Sequence, residues 1–399
     1  MTAVSQVGFR KATPFSWVSV YFFSYFFVFS YFLPFWAPWL DSRGVNSEEI
    51  GLILGGSLII RCLSNLFVAT RLTNLTYLVN GLRALALGML VSMIIAFLCG
   101  SNVWLLALMT LVFSAFLAPA VPLSDVLAIR YVCEKQLDYG KSRLWGSAGF
   151  LIGTLISGYA FETLGPDAVL WMMIAGTAGM FLHSLKKPTP GLTIPEAGHA
   201  PTQWSVIKVL ADREVLWMLL VTSMIYGSHA ALYGFSVLYW TEQGIEPSVI
   251  GYLWAMGVSA EIVLFNFSWR LTKKFSVKDL LIIASMGVAI RWAIMASTVQ
   301  IEWLFFAQIL HAFTFGVCHI AVSTYIQKKP QGMTVPLQAI YNAVPNSAAI
   351  AVMTVITGFY FDSLQGGIFW GMAAMGVGAL LLCMKQPKPQ QYNEAVAQD

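Results

Sequence analysis

The chain has 399 residues, 58% of them apolar and only 11% charged, with 23 Lys and Arg against 19 Asp and Glu. Its mean hydropathy is +0.71. A soluble domain carries about twice that charged fraction, and no soluble core absorbs so much apolar surface, so the composition describes a polytopic membrane protein. The net charge of +4 does not mark a nucleic-acid binder, because the basic residues are scattered between apolar runs. The five cysteines (Cys62, Cys99, Cys133, Cys318, Cys383) lack metal-ligand spacing, and a thiol in or beside an apolar run is a small hydrophobe.

Runs long enough to cross a bilayer predict twelve helices, at 14–40, 47–70, 75–99, 103–130, 143–163, 167–185, 213–240, 247–269, 277–298, 302–326, 335–361 and 366–384. The polar stretch Met1 to Thr13 has no small-residue cleavage site, so the first helix is expected to be retained. Asn46-Ser47-Glu48-Glu49 is a start signal for the second helix, and Pro247 for the eighth. Lys186 to Trp204, with Pro188, Pro190, Pro195 and Pro201, is the one long polar connection. It divides the chain into an N-terminal six-helix half (1–187), a linker (188–206) and a C-terminal half (207–399).

Arg61, Arg83 and Arg291 lie inside predicted spans, and Arg43 alone falls in a connection after an odd-numbered helix. The remaining nineteen of the 23 Lys and Arg lie at the termini or after even-numbered helices, which puts both termini in the cytoplasm.

The halves resemble each other. At an offset of 200, Gly44, Ile50 and Gly51 match Gly244, Ile250 and Gly251. Arg71-Leu72-Thr73 matches Arg270-Leu271-Thr272 and Trp104-Leu105 matches Trp303-Leu304 after the loss of one residue. Gly158, Phe161 and Leu164 then match Gly358, Phe361 and Leu364. Duplication of this kind is common in transporters. In the same register Arg61 falls on Glu261, either as a structural ion pair joining the halves or as a gate that opens and closes during transport.

An ionisable group within the bilayer is a functional candidate by default. Glu261 lies near mid-helix, and a carboxylate held between desolvation and a neighbouring cation is poised to carry a proton. Arg291 with His311 and His319 makes a basic cluster in the same half. Asp125 reads as a local pair with Arg130, and Arg83 as a snorkelling side chain. His229 and Tyr233 share a face, either lining a cavity or meeting a neighbouring helix. Fourteen of the twenty-five residues from Phe15 to Trp39 are aromatic, with Tyr21, Tyr25, Phe29, Phe32 and Trp36 at helical spacing. They are either lipid-facing bulk or a wall against an aromatic solute. Gly146, Gly149 and Gly153 read as close-packing positions.

Twelve helices, duplicated halves and a polar linker resemble the major facilitator superfamily. Its usual motif after the second helix is degenerate here, since Phe67 to Leu78 keeps Arg71 but lacks the aspartate and glycine. The chain is more closely similar to the phenylpropionate permease group, related to lactose permeases and nucleoside–proton symporters. The resemblance is carried by Leu137 to Lys141, Arg143 to Ser147, His229 to Ala231, Tyr233 to Ser236 and Gly251 to Trp254 with Ala260-Glu261. Arg291-Trp292, Val317 to His319, Tyr325-Ile326 and Leu337 to Ala339 extend it over nearly the whole chain.

It implies a bacterial inner-membrane symporter, monomeric and free of cofactors, that takes up 3-phenylpropionate or a similar small aromatic acid with protons by alternating access. Glu261, His311 and His319 would couple protons. Arg61, Arg291, His229, Tyr233, Tyr25 and Phe29 would bind the acid, while Asp125, Arg143 and Asp138 would gate or support. A proton symporter of a nucleoside or sugar is the rival transporter. A polytopic enzyme would need a catalytic constellation, and neither HExxH, paired intramembrane aspartates nor a nucleophile beside a base is present. A transporter-like sensor would bind without flux.

Overall fold

Peptide groups without partners are costly in hydrocarbon, so long apolar runs close their hydrogen bonds as helices. The computed structural model, which describes residues 11–69, 75–189 and 204–387, is built that way. Ten helical stretches among the described residues are long and apolar enough to cross a membrane. One of them, Gln331–Met384, is divided by the 3-10 turn Gln365–Gly367; the shorter Asp167–Ser184 brings the spans to twelve.

In chain order they are α1 Pro14–Ser42, α2 Ser47–Phe67, α3 Leu75–Leu98, α4 Val103–Cys133, α5 Tyr139–Leu164 and α6 Asp167–Ser184. The second set is α7 Arg213–Glu242, α8 Pro247–Asn266, α9 Val277–Ser297, α10 Ile301–Gln327, α11 over 331–364 and α12 Ile368–Met384. Two short strands, β1 Lys11–Ala12 and β2 Lys187–Pro188, pair in parallel. The Arg71-Leu72-Thr73 match and most of the linker lie outside the described residues.

The duplication is visible in the backbone. Gly44 and Gly244 hold φ of 83° and 82°, a region that glycine enters without steric cost. Each closes the same turn: Val45 N donates to Leu40 O at 3.2 Å, and Ile245 N to Trp240 O at 2.9 Å.

Contacts divide the chain into two compact units, residues 1–39 with 63–196 and residues 40–62 with 197–399. In the first, α1 is central. Lipid tails are as apolar as a protein core, so packing and polar pairing, rather than escape from water, fix which faces turn inward. Trp17, Tyr21, Phe22, Phe35, Trp36 and Trp39 are fully buried, and their polar atoms find partners inside the unit. Trp36 Nε1 donates to Thr110 Oγ1 at 3.1 Å, Tyr21 OH to Leu82 O at 3.1 Å and Trp39 Nε1 to Asp167 Oδ1 at 3.2 Å. These rings are core, not lipid-facing bulk. α5 reaches α1 through Gly146, Gly149 and Gly153, where an added Cβ would strike Phe26, the Phe23 carbonyl and Ser30.

Arg83 corrects the sequence reading. It does not snorkel; its fork donates to Ser184 O at 2.7 Å and to Leu185 O and Lys186 O at 3.2 Å each. These carbonyls lie at the C-terminus of α6, whose last C=O groups lack helical partners and favour a cation. Asp125 is likewise tied to α5 and not to Arg130. It accepts from Tyr139 OH at 3.1 Å and feels the charge of Arg143.

In the second unit α9 and α12 touch closely at Gly376, where a Cβ would meet Ala289 and Val288. α2 and α11 touch at Gly51 and Gly358, with Ser47 Oγ donating to Asp362 Oδ1 at 2.6 Å. Pro336 has no N–H to offer the Gly332 carbonyl one turn earlier; Trp204 N donates to that carbonyl instead, at 2.9 Å. Lys329 Nζ sits 2.6 Å from Glu214 Oε2 and 3.7 Å from Asp212 Oδ2, tying the end of α10 to the start of α7.

Candidate functional site

The sequence-predicted residues Glu261, Arg291, His311, His229 and Tyr233 converge within the second unit, on α8, α9, α10 and α7. Three backbone irregularities position them. α7 breaks between Gly227 and Ala230, and at this break His229 N turns to Tyr226 O at 3.0 Å. The carbonyl of Ile225, left without that main-chain donor, takes His229 Nδ1–H at 2.9 Å. α10 carries a π turn at Ala312–Val317, a local widening that re-aims side chains and often accompanies function. Thr314 and Phe315 lie on it, directly after His311. Finally, Gly257 and Gly316 let α8 and α10 approach: a Cβ on Gly316 would strike Leu264 and lie 3.7 Å from Glu261 Cγ.

Arg291 is fully buried and is the hub. Its fork donates to His311 Nδ1 at 3.1 Å, Thr314 Oγ1 at 3.2 Å and Gln308 Oε1 at 2.9 Å, and its plane lies 4.4 Å from the Trp292 ring centroid. A guanidinium has no acceptor. His311 Nδ1 must therefore receive its hydrogen bond, which leaves the proton of a neutral ring on Nε2. That atom lies 3.6 Å from Glu261 Oε2. Similar reasoning fixes His229, whose Nδ1 donates to a carbonyl. Its Nε2 then accepts from the Thr314 hydroxyl, 3.0 Å away, while the same oxygen accepts from Arg291. The result is a hydrogen bond from Arg291 that orients His311, whose Nε2 faces the one carboxylate of the cluster at 3.6 Å.

Aromatic rings close this cluster. Phe315 stacks on His311 with centroids 5.3 Å apart and meets Tyr226 edge-on at 5.1 Å. Trp292 meets His229 edge-on at 5.3 Å and donates Nε1–H to Ser228 Oγ at 2.9 Å. Tyr341 OH donates to Tyr226 OH at 2.6 Å. Tyr233 lies between His229 and Trp254, at centroid distances of 5.7 and 6.1 Å. Three buried donors of this group, Arg291 Nε, Gln308 Nε2 and Trp254 Nε1, have no acceptor. Burying an unpaired donor is costly, so this surplus of donors describes a place suited to an acceptor-rich, anionic group.

His319 is exposed on α10, its ring edge-on to Phe265 of α8 at 6.0 Å, and it feels the charge of Glu261. The other sequence candidates lie elsewhere. Arg61 is half-buried near the end of α2, ahead of the π turn Asn65–Ala69. Tyr25 and Phe29 belong to the first unit, their centroids 6.1 Å apart, and Phe29 reaches Phe150 of α5 at 6.1 Å. Arg143 stands 4.4 Å from the Phe26 centroid and 5.3 Å from that of Phe22. Asp138 is the N-cap of α5, accepting from Lys141 N at 3.1 Å; this hydrogen bond holds its carboxyl below the usual range. Gln308 and Thr314 had no part in the sequence reading, and Trp254 entered it only among the residues that carry the resemblance. The signal for Gln308 was there: an amide three residues before His311 in an otherwise apolar run shares its helix face.

Residues 15–372 match the MFS_1 like family. The chain is 39% identical to the "Probable 3-phenylpropionic acid transporter" of Escherichia coli (strain K12), over 92% of this chain and 96% of that protein. It is 26% identical to the maltose permease of Geobacillus stearothermophilus, over 71% of this chain and 73% of that protein. Among solved structures, a mutant nucleoside transporter superposes with a TM-score of 0.81 at 12% identity, covering 94% of this chain and 100% of that one. At that identity the likeness concerns the fold.

Proposed function

The chain belongs to the MFS_1-like family of major facilitator transporters, and we propose that it is a proton-coupled symporter of 3-phenylpropionate or a similar small aromatic acid. It would work as a monomer in a bacterial inner membrane by alternating access, with both termini cytoplasmic and the halves 1–187 and 207–399 as its moving bodies.

The observation that carries this reading is the pairing of unsatisfied donors with a single carboxylate. A substrate carboxylate engages the Arg291 and Gln308 donors that lack acceptors, and the surrounding rings of Tyr233, Trp292 and Phe315 suit an aromatic body. His311 Nδ1 keeps the Arg291 N–H that fixes its tautomer, so Nε2 stays turned to Glu261 Oε2, 3.6 Å away. Two carboxylates close together in a low-dielectric site cannot both stay ionised, so arrival of the acid requires a proton on Glu261, with His311 as the adjacent carrier. Occupancy and protonation are linked by electrostatics alone. The 39% identical relative named as a 3-phenylpropionic acid transporter agrees with this chemistry.

The test is uptake in right-side-out and inverted vesicles, with and without a protonophore, across aromatic acids, nucleosides and sugars. Protonophore-sensitive uptake of aromatic acids, uncompeted by nucleosides or sugars, is the expected outcome. Uptake of a nucleoside or sugar in their place overturns the substrate, and protonophore-insensitive accumulation overturns the coupling.

A further inference from the structure

Helix α11 has two unlike faces. Met333, Leu337, Ile340 and Tyr341 are buried, whereas Gln338 and Asn342 are exposed and Asn346 is half-buried. The spacing of 338, 342 and 346 places these three amides on one side of the helix, each about 6 Å from the next at about 1.5 Å per residue. The helix from 331 to 364 is about 50 Å long, so its midpoint lies close to Asn346 and the central 30 Å of hydrocarbon takes in Asn342 as well.

Such a face cannot rest against lipid. Polar side chains at membrane depth turn to the protein interior or to water, and the exposure of Gln338 and Asn342 rules out the first. Their own bonds leave capacity free. Gln338 Nε2 donates to Asn342 Oδ1 at 3.4 Å, so the second Gln338 N–H and the Asn342 amide N–H groups remain for other partners. The backbone points the same way: α11 opens into a π turn at Val344–Ala349, where Ser347 Oγ reaches the Asn342 carbonyl at 2.9 Å. Widened backbone within a membrane is tolerated where it is packed or lines a cavity.

We propose that this amide face walls a water-filled passage and hydrogen-bonds the polar head of the solute as it crosses. The proposal rests on the transport reading but not on which solute is carried.

The test adds one cysteine at a time, Gln338→Cys, Asn342→Cys or Asn346→Cys, to the otherwise native chain. Controls are Ile340→Cys, on the buried face, and Val377→Cys, on the half-exposed, wholly apolar helix α12. Vesicles are treated with a membrane-impermeant methanethiosulfonate, and modification is read peptide by peptide by mass spectrometry, so the native cysteines need not be removed. The three amide positions should react about tenfold faster than either control, and a saturating amount of whichever solute the vesicles transport should slow them. Equal rates at 342 and 377, or rates unmoved by solute, overturn the proposal.

Asn342→Asp is near-isosteric and gives a second readout. It should raise KM for a transported anion by about tenfold, worth about 1.4 kcal/mol, while leaving KM for an uncharged solute unchanged. An unchanged KM for the anion refutes the contact. Wild-type vesicles that carry no aromatic acid would refute the proposed substrate and leave the labelling pattern as an independent result.

Discussion

Arg291→Met removes the hub of the site, and its cost can be worked out. The guanidinium makes three hydrogen bonds to α10, at 3.1, 3.2 and 2.9 Å. Between membrane helices such a bond contributes about 0.6 kcal/mol on average and up to about 1.7, so the three together give about 2 to 5 kcal/mol. The Trp292 contact at 4.4 Å pushes toward the upper end when desolvated. Methionine fills most of the volume, so loss of these bonds dominates over any cavity. Arg291→Lys keeps the charge but offers a point donor where a planar fork is needed, and should fall between. The assay is reversible unfolding in mixed micelles at increasing dodecyl sulfate, read by tryptophan fluorescence, in a cycle with Gln308→Leu. A coupling of about 0.6 to 1.7 kcal/mol between the two positions is expected. If Arg291→Met unfolds at the wild-type midpoint, or the two changes add without coupling, Arg291 is not the hub described.

Lys329→Met leaves two acidic side chains facing each other in a site where Lys329, Glu214 and Asp212 are 6%, 11% and 4% exposed. Breaking a buried ion pair costs about 3 to 5 kcal/mol, part of which Glu214→Gln should restore; an unaltered unfolding midpoint counts against the tie. Gly149→Ala forces a Cβ into the Phe23 carbonyl, whereas the same change at Gly179 meets nothing within 4 Å. The first should lose about 1 to 3 kcal/mol and the second should be neutral or better, so equal midpoints would refute the close α1–α5 contact. Asp138, with its carboxyl held low by Lys141 N–H, stabilises the start of α5 above its unfolded value near pH ~3.9 and loses that as pH falls through the folded one. Hydrogen exchange at Lys141 should therefore quicken on acidification in the wild type and show no such step in Asp138→Asn.

Much of this fold can be read from hydropathy, because in a bilayer apolar length and helix are nearly the same statement. The Gly44 and Gly244 match became two left-handed turns of equal φ, so the duplication was legible at single residues. Helix ends were read less well: α5, capped by Asp138, begins at Tyr139, four residues before the expected start, since a capping side chain sits outside the apolar run. Partners were harder. Arg83 looked like a snorkelling residue because its three carbonyls belong to residues 184–186, distant in sequence. The π turns on α10 and α11 leave no mark on composition, so the alignment of Thr314 between Arg291 and His229 could not be foreseen. The aromatic run of α1 was ambiguous for a physical reason: lipid and core accept the same rings, and only buried partners such as Thr110 and Leu82 decide.

The central claim, that Glu261 exchanges a proton each time an aromatic acid crosses, is met most directly in proteoliposomes with an entrapped pH dye. Wild type and Glu261→Gln are given an inward gradient of 3-phenylpropionate, with protein-free liposomes subtracting passive entry of the neutral acid. The expected result is acidification of the lumen by wild type alone, with Glu261→Gln still exchanging labelled for unlabelled acid. Acidification by Glu261→Gln at the wild-type rate, or solute entry through wild type without protons, contradicts it.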